Sequence, residues 1–532
     1  MEDIKINNND REMLSGALSL TVSVIIVKII GFVYKIPLSR ILGDEGMGYF
    51  NSAYTVFTFF YMLCSAGIPK AVAIIITESD TKYGKYGSDK SVSFMLKIAI
   101  IIGASMSLFL FFGSKIISEM IGSKEASECI RAISPSILFV SAAGVLRGFL
   151  NGRKKLLEVA VSEVIDGAVK FIVGLAFAYV NYKNGGSLSS VSAYAILGVS
   201  IGAMISSLFL FVSVNISKSD EKAGQNSTFV LSKISLIKKI LRIALPITVS
   251  SAVLSLSNVI DLGMIMNRLK ASGMSEEDAV AAFGNFTTLA VPMLNLVSAL
   301  TNSISVSSLP ALASSFSIGK KEEFERISNK AFSGVAFFAI PASCAFMFFS
   351  EEILRLLFDD NSAKIAAPLL SVLAPSVIFL PILTVCNTIL ESTQKTKLPL
   401  ISMCIGLFIK TVISFVLISK RDIGIFGAPI GTGACYAAAL VVSIIFIRYK
   451  VGMKIKIFAP MIKYLILAFI IIFPMRLIYI YIESNYNFKG SFIIISMLSA
   501  VLYFLIVHIF DKSCKKFEYK LIKINKKIKS TL

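Results

Sequence analysis

Apolar stretches of about twenty residues recur along the whole chain, separated by short polar or basic segments, and each is long enough for a helix to cross a hydrocarbon core of about 30 Å. The runs are continuous. They lack the period-two alternation over about ten residues that membrane barrel strands need. The pattern therefore predicts an all-α polytopic membrane protein with about fourteen transmembrane helices. Their expected starts lie near Leu14, Tyr49, Ser91, Ile130, Leu156, Ser190, Ile243, Ala279, Ala331, Ala366, Leu398, Ile425, Pro460 and Phe492.

Composition agrees with the pattern: 55% of the 532 residues are hydrophobic, 16% are charged, and the mean hydropathy is +0.78. That is more apolar than a water-soluble core requires. The opening "MEDIKINNNDREML" is polar and leads into the first apolar run without a small-residue cleavage site, so the first helix is expected to be retained.

The net charge of +20 adds orientation. Loops after even-numbered helices, with both termini, carry about 31 Lys and Arg against about 11 in the odd loops, which places both termini in the cytoplasm of a multi-pass protein of the cytoplasmic membrane. Because the basic residues are spread over loops, no nucleic-acid partner is expected. The tail "DKSCKKFEYKLIKINKKIKSTL" reads as a juxtamembrane segment suited to anionic lipid.

The chain also repeats itself. "ISPSILFVSAAGVLRGFLNGRKK" from Ile133 lies over "LAPSVIFLPILTVCNTILESTQK" from Leu373, an offset of about 240 residues. The same register superposes Lys170 on Lys410. "LSLTVS" at Leu18 likewise resembles "LPITVS" at Leu245. Six helices are matched by six more, giving an N-terminal lobe over 1–217, a cytoplasmic connector over 218–242 and a C-terminal lobe over 243–450. Two further helices follow over 451–511, with a basic tail over 512–532. Each lobe has an even number of spans, so the expected pseudo-two-fold axis runs along the membrane normal, and the cavity between such lobes is where transporters hold substrate.

Charge inside a span costs about 2.5–3.5 kcal/mol on insertion scales, so it normally faces a wet cavity or a partner. Thr21, Lys28 and Lys35 recur every seven residues on one face of the first helix, with Gly31 beside them. Lys28 lies about 21 Å along the axis from Leu14, too deep to reach the cytoplasmic interface. Lys35 and Arg40 are nearer the outer side, where snorkelling competes with a cavity role. Pro37 is expected to kink this helix and free carbonyls. In the fifth helix Glu158, Glu163, Asp166 and Lys170 share the span, and Asp166 precedes Lys170 by the four residues that favour an ion pair. Lys410 has Gly406 where that acid would be. Asp261, within the seventh helix, reads as a coupling-ion site or a counter-ion for Lys28, and Arg268 ends that span.

Soluble-enzyme chemistry is excluded. His508 is the only histidine, and the seven cysteines, Cys64, Cys129, Cys344, Cys386, Cys404, Cys435 and Cys514, show no metal-ligand spacing. "GKYGSDKS" from Gly84 lacks the glycine before lysine that a phosphate loop needs. The reading is a non-enzyme with no resident cofactor and no metal, uphill movement being left to the membrane potential, Na+, H+ or a partner.

"GFVYKIPLSRILGDEGMG", "SAGIPKAVA" from Ser65, "APIGTGACY" from Ala428 and the helix count together resemble the stage V sporulation protein B branch of the multidrug/oligosaccharidyl-lipid/polysaccharide flippase superfamily. The resemblance covers essentially the whole chain and extends to Gram-positive lipid II flippases. It implies a MATE-like fold of two six-helix lobes around a central cavity plus two C-terminal helices. It also implies export of an undecaprenyl-pyrophosphate-linked saccharide for cell-wall or polysaccharide synthesis by alternating access through a cationic cavity. By the same resemblance Lys28 stands at a first-helix basic position, Lys35 adjoins Tyr34 where Gram-negative relatives carry arginine, and Asp44 and Glu45 match the branch pattern at the outer helix end.

The expected substrate ligands are Lys28, Lys35, Arg40 and Lys410. Asp261, Asp166, Lys170 and Glu163 are candidate coupling or counter-ion groups, and Asp44, Glu45 and Arg268 candidate gate residues. Expected partners are the lipid-linked sugar, anionic membrane lipids and, for an otherwise monomeric chain, a cell-wall synthesis complex. Two other functions stay open at this point: an ion-coupled multidrug antiporter using Asp261 and Asp166, and a non-transporting scaffold for sporulation or division.

Overall fold

A computed structural model of the chain describes residues 8–219, 233–453, 458–486 and 490–509. Most of the connector, the basic tail with Cys514 and the side chains of Thr21, Lys82 and Lys85 lie outside the described residues. The described residues form α-helices joined by short turns, with no strand among them. The helices are α1 (Asn8–Ser65), α2 (Ile68–Ile121), α3 (Ala126–Ile133), α4 (Pro135–Gly152), α5 (Leu156–Lys183), α6 (Leu188–Ser219), α7 (Lys233–Ala271) and α8 (Glu276–Asn285). After a π-helical turn at Phe286–Ala290 come α9 (Val291–Ser317), α10 (Lys321–Phe348), α11 (Ser350–Leu357), α12 (Asp360–Leu373) and α13 (Ser376–Ser392). The chain continues through α14 (Lys397–Ile418), α15 (Gly427–Phe446), α16 (Phe458–Tyr486) and α17 (Ser491–Ile509).

Among the described residues, 10 helices are long and apolar enough to cross a membrane, or 11 when the pair α12–α13, bent by 45°, counts as one span. The expected starts near Leu14 and Tyr49 both belong to α1, whose 58 residues at 1.5 Å each are about three membrane cores long and which is broken at Gly43. Those near Leu156 and Ile243 fall in α5 and α7. Every expected start thus has its helix, and the chain is an all-α, multi-pass membrane protein.

Its surface is that of a lipid-solvated body. Phe112, Met120, Leu300 and Phe408 each expose more than 70% of their surface, a state that water would penalise and hydrocarbon does not.

The interruption in α1 is not where proline suggests. Pro37 stays within helical backbone, and the one non-helical residue inside α1 is Gly43, at φ 62 and ψ −174. Proline's fixed φ is helix-compatible, whereas this conformation is open essentially to glycine alone. The expected kink at Pro37 is therefore corrected to a break at Gly43, the first residue of "GDEGMG".

The chain divides into two compact units. The first comprises Met1–Thr288 with Phe415–Ile425. One core joins Val72, Ile75 and Ile76 of α2 to Val145, Leu146, Phe149 and Leu150 of α4, and α5 packs along α6. The second comprises Leu289–Ser414 with Phe426–Leu532. There Phe324, Phe332 and Val335 of α10 pack with Ile389 and Leu390 of α13, and α16 and α17 pack on α10 through Tyr464, Tyr503 and Phe337. Arg476 of α16 pairs with Glu352 of α11.

The 240-residue repeat is visible in the turns. Lys154, between α4 and α5, has φ 60, and Gln394, between α13 and α14, has φ 61; they are the described non-glycine residues with positive φ. Each is followed by a lysine whose amide reaches back five residues, Lys155 to the Leu150 carbonyl at 2.9 Å and Lys395 to the Leu390 carbonyl at 3.1 Å. That is a Schellman-type helix end occurring at matching positions.

Candidate functional site

The first unit gathers charge where α1, α4, α5 and α6 meet. Lys35 of α1 donates from Nζ to the Thr287 carbonyl at 3.1 Å, in the π-helical turn. A π turn displaces its carbonyls from the regular ladder and leaves one for a side chain. From α5, the Lys170 ammonium lies 4.5 Å from the centre of the Tyr54 ring and 3.5 Å from its hydroxyl. A run of rings links the two lysines' surroundings. Tyr34 meets Phe171 at 6.0 Å and Phe50 at 6.1 Å, and Phe50 stacks on Tyr54 at 6.2 Å. Lys35 and Lys170 lie near enough for their charges to repel.

Neither lysine appears in the described ion pairs. The expected Asp166–Lys170 bridge is not formed; Lys170 rests on the Tyr54 π face, and Asp166 lies within electrostatic reach of Arg147 as well as Lys170. Helical spacing permitted that bridge, but tertiary partners displaced it. Arg147, in the middle of α4, donates from Nε to Ser162 Oγ at 3.3 Å and from Nη2 to Ser206 Oγ at 3.4 Å. Asp166 lies against α6, where a Cβ on Gly202 would come within 3.0 Å of its Oδ1. On the same face of α5, Glu163 accepts from Ser23 Oγ at 3.4 Å.

Arg147 was not among the residues expected at the site. Its signal in the sequence is a lone arginine between Gly144 and Gly148 in an apolar run.

The remaining candidates are dispersed. Lys28 and Arg40 are exposed on α1, and neither belongs to a described ion pair. Glu45 accepts from the Tyr49 hydroxyl at 2.6 Å, which ties the acid to the helix that begins after Gly43. Asp44 is half-buried, and its carbonyl faces α8: a Cβ on Gly284 would overlap it, and one on Gly48 would overlap the Val280 carbonyl. The "GDEGMG" glycines thus bring two backbones together. Asp261 is buried at 5% exposure in α7. Arg268 places its guanidinium 3.3 Å from the centre of the Phe415 ring. Lys410 is half-buried in α14, in the second unit. Five cysteines, Cys64, Cys129, Cys344, Cys386 and Cys435, are buried free thiols, and Cys404 is exposed. Among the described residues no cluster of His, Cys, Asp and Glu could hold a metal ion.

The described residues, all helical, apolar outside and with charged side chains gathered inside one unit, define a multi-pass membrane protein. Residues 13–316 match the family model described as polysaccharide biosynthesis protein, and residues 246–416 match the MatE model. The first match covers more than half of the chain, and the protein belongs to the polysaccharide biosynthesis protein family. Among curated relatives, stage V sporulation protein B of Bacillus subtilis (strain 168) is 23% identical over 84% of this chain and 86% of its own length. The lipid II flippase MurJ of the same organism is 25% identical over 84% of each chain. A solved structure of the lipid II flippase MurJ in an inward closed conformation superposes with a TM-score of 0.72 at 18% identity, covering 93% of this chain and 99% of that one, a likeness of fold.

Proposed function

We propose that the protein is a flippase for a lipid-linked saccharide, an undecaprenyl-pyrophosphate-linked cell-wall or polysaccharide unit, acting across the cytoplasmic membrane by alternating access. In this reading two six-helix lobes, 1–217 and 243–450, enclose the path, both termini are cytoplasmic, and the diphosphate passes along cationic side chains. The observation that carries it is the approach of Lys35 and Lys170 from separate helices with no carboxylate in ion-pair contact with either. Two neighbouring cations inside a span, neither in a direct ion pair, are costly unless an anion completes them. A carbonyl and a π face hold them weakly enough to be exchanged for phosphate oxygens.

The names of the relatives supply the substrate class and the family match supports the polysaccharide setting. The antiporter reading is less well supported, because the acid nearest this cluster, Asp166, already lies beside Arg147.

The test is transport in proteoliposomes, scored by exposure of a fluorescent undecaprenyl-diphosphate saccharide to an impermeant quencher. Wild type should move the lipid, and Lys35→Gln and Lys170→Gln should each slow it by about tenfold or more, the loss of one charge-assisted contact. No movement by wild-type protein, in a strain-complementation assay as well as in vesicles, would reject the flippase reading.

A further inference from the structure

A second concave site lies in the first unit, away from the charge cluster. An apolar groove of about 190 Å³ runs between α2, α4 and α7, lined by Val72, Met95 and Ile102, by Val145, and by Leu241 and Leu245 among others. Its α7 wall has a gradient of character. From Lys233 to Arg242 that helix carries Lys233, Lys238, Lys239 and Arg242 and no acid, and no acid follows until Asp261. Lys239 is paired with Glu78 of α2, while Lys238 and Arg242 are exposed. The acids at that end of α2 are engaged too, Asp80 and Asp89 by Arg153 at 3.3 and 2.9 Å. The unspent charge at the groove's rim is therefore positive.

Length fixes the level of that rim. At 1.5 Å per residue, the 39 residues of α7 span about 58 Å against a hydrocarbon core of about 30 Å, so a helix whose far end is at Ala271 carries Lys238 and Arg242 out to the head-group region. Lys238 projects one helical step from Leu241 and Leu245, at the groove's edge. Apolar wall toward the membrane centre and basic residues at the head-group level are the two halves of a phospholipid's own chemistry.

We infer that this groove is a binding site for an anionic diacyl phospholipid, one acyl chain lying between α2, α4 and α7 and its phosphate meeting Lys238 and Arg242. The site stands whether or not the flippase reading does.

The chain contains no tryptophan, so one introduced indole reports the groove without background. Full-length Leu241→Trp protein, with Leu245→Trp as the second reporter, is reconstituted in phosphatidylcholine vesicles doped with brominated phosphatidylglycerol or brominated phosphatidylcholine. Quenching should favour phosphatidylglycerol by about tenfold, and Lys238→Gln with Arg242→Gln should bring the two lipids to parity. Phe112→Trp, on the exposed face of α2, should show no preference. Equal quenching by both lipids in the reporter proteins would overturn the inference. So would a preference that survives the double Gln change, or displacement of the brominated lipid by undecaprenyl phosphate as readily as by phosphatidylglycerol.

Discussion

The pairs α5/α6 and α14/α15 both use glycine to bring two helices into close contact, but place it differently with respect to the acid. In the first pair α6 gives Gly198 and Gly202, and α5 gives Gly174. A Cβ on Gly198 would lie 2.6 Å from the Gly174 backbone, and one on Gly202 would lie 2.8 Å from the Asp166 carbonyl. In the second pair each helix gives one: a Cβ on Gly406 of α14 would lie 2.6 Å from the Cys435 carbonyl, and one on Gly431 of α15 would overlap Ser414 Oγ. Gly406 is the repeat mate of Asp166. The first pair has room for an acid because Gly202 has no side chain; in the second that room is taken from the α14 side to admit α15. The missing acid beside Lys410 is thus bound up with packing as well as with charge.

The comparison can be broken most sharply at Arg147, whose repeat mate is Asn387. Arg147→Leu removes the arginine charge that reaches Asp166 together with the bonds to Ser162 and Ser206, and with both side chains half-buried the expected loss is about 1–3 kcal/mol. Adding Asp166→Asn should recover part of it. Unfolding followed with a thiol-reactive dye reads both, since five cysteines are buried and become labelled only as the chain opens. Equal stability of Arg147→Leu and wild type would remove the pairing from the account.

A smaller effect separates the two crossings. Gly198→Ala drives a methyl into the Gly174 backbone and should cost about 1–3 kcal/mol with no single-site remedy. Gly431→Ala meets a hydroxyl instead, and the second change Ser414→Ala should relieve it. If both crossings respond alike to their second changes, the backbone-against-side-chain distinction fails.

The smallest effect tests likeness. Lys154→Gly and Gln394→Gly each remove a side chain from a left-handed position and should raise stability by up to about 1 kcal/mol, by similar amounts at the two turns. A gain at one and a loss at the other would mean that the repeated turns carry different loads.

Much of the fold was legible because hydropathy is local. An apolar run of membrane length has few other options, so each expected start met a helix. The site was less legible because its partners come from distant helices. The four-residue spacing of Asp166 and Lys170 is a rule of isolated helices, and Arg147 of α4 and Tyr54 of α1 outweighed it. Pro37 drew attention as a breaker, yet the break needed a backbone only Gly43 could adopt. "GDEGMG" was notable for its acids, whereas its glycines let α1 reach α8, which no single-chain pattern reveals.

That α1–α8 crossing also bears on friction. Gly48 and Gly284 bring backbones together, and close-range dispersion and weak carbon-hydrogen contacts to carbonyls hold them beside the buried Val280 side chain. The glycines themselves have no rotamers to unlock, so a hinge stroke placed there would meet less resistance than at a crossing of interlocked side chains. The first methyl added to either glycine would act less as a lost contact than as a brake.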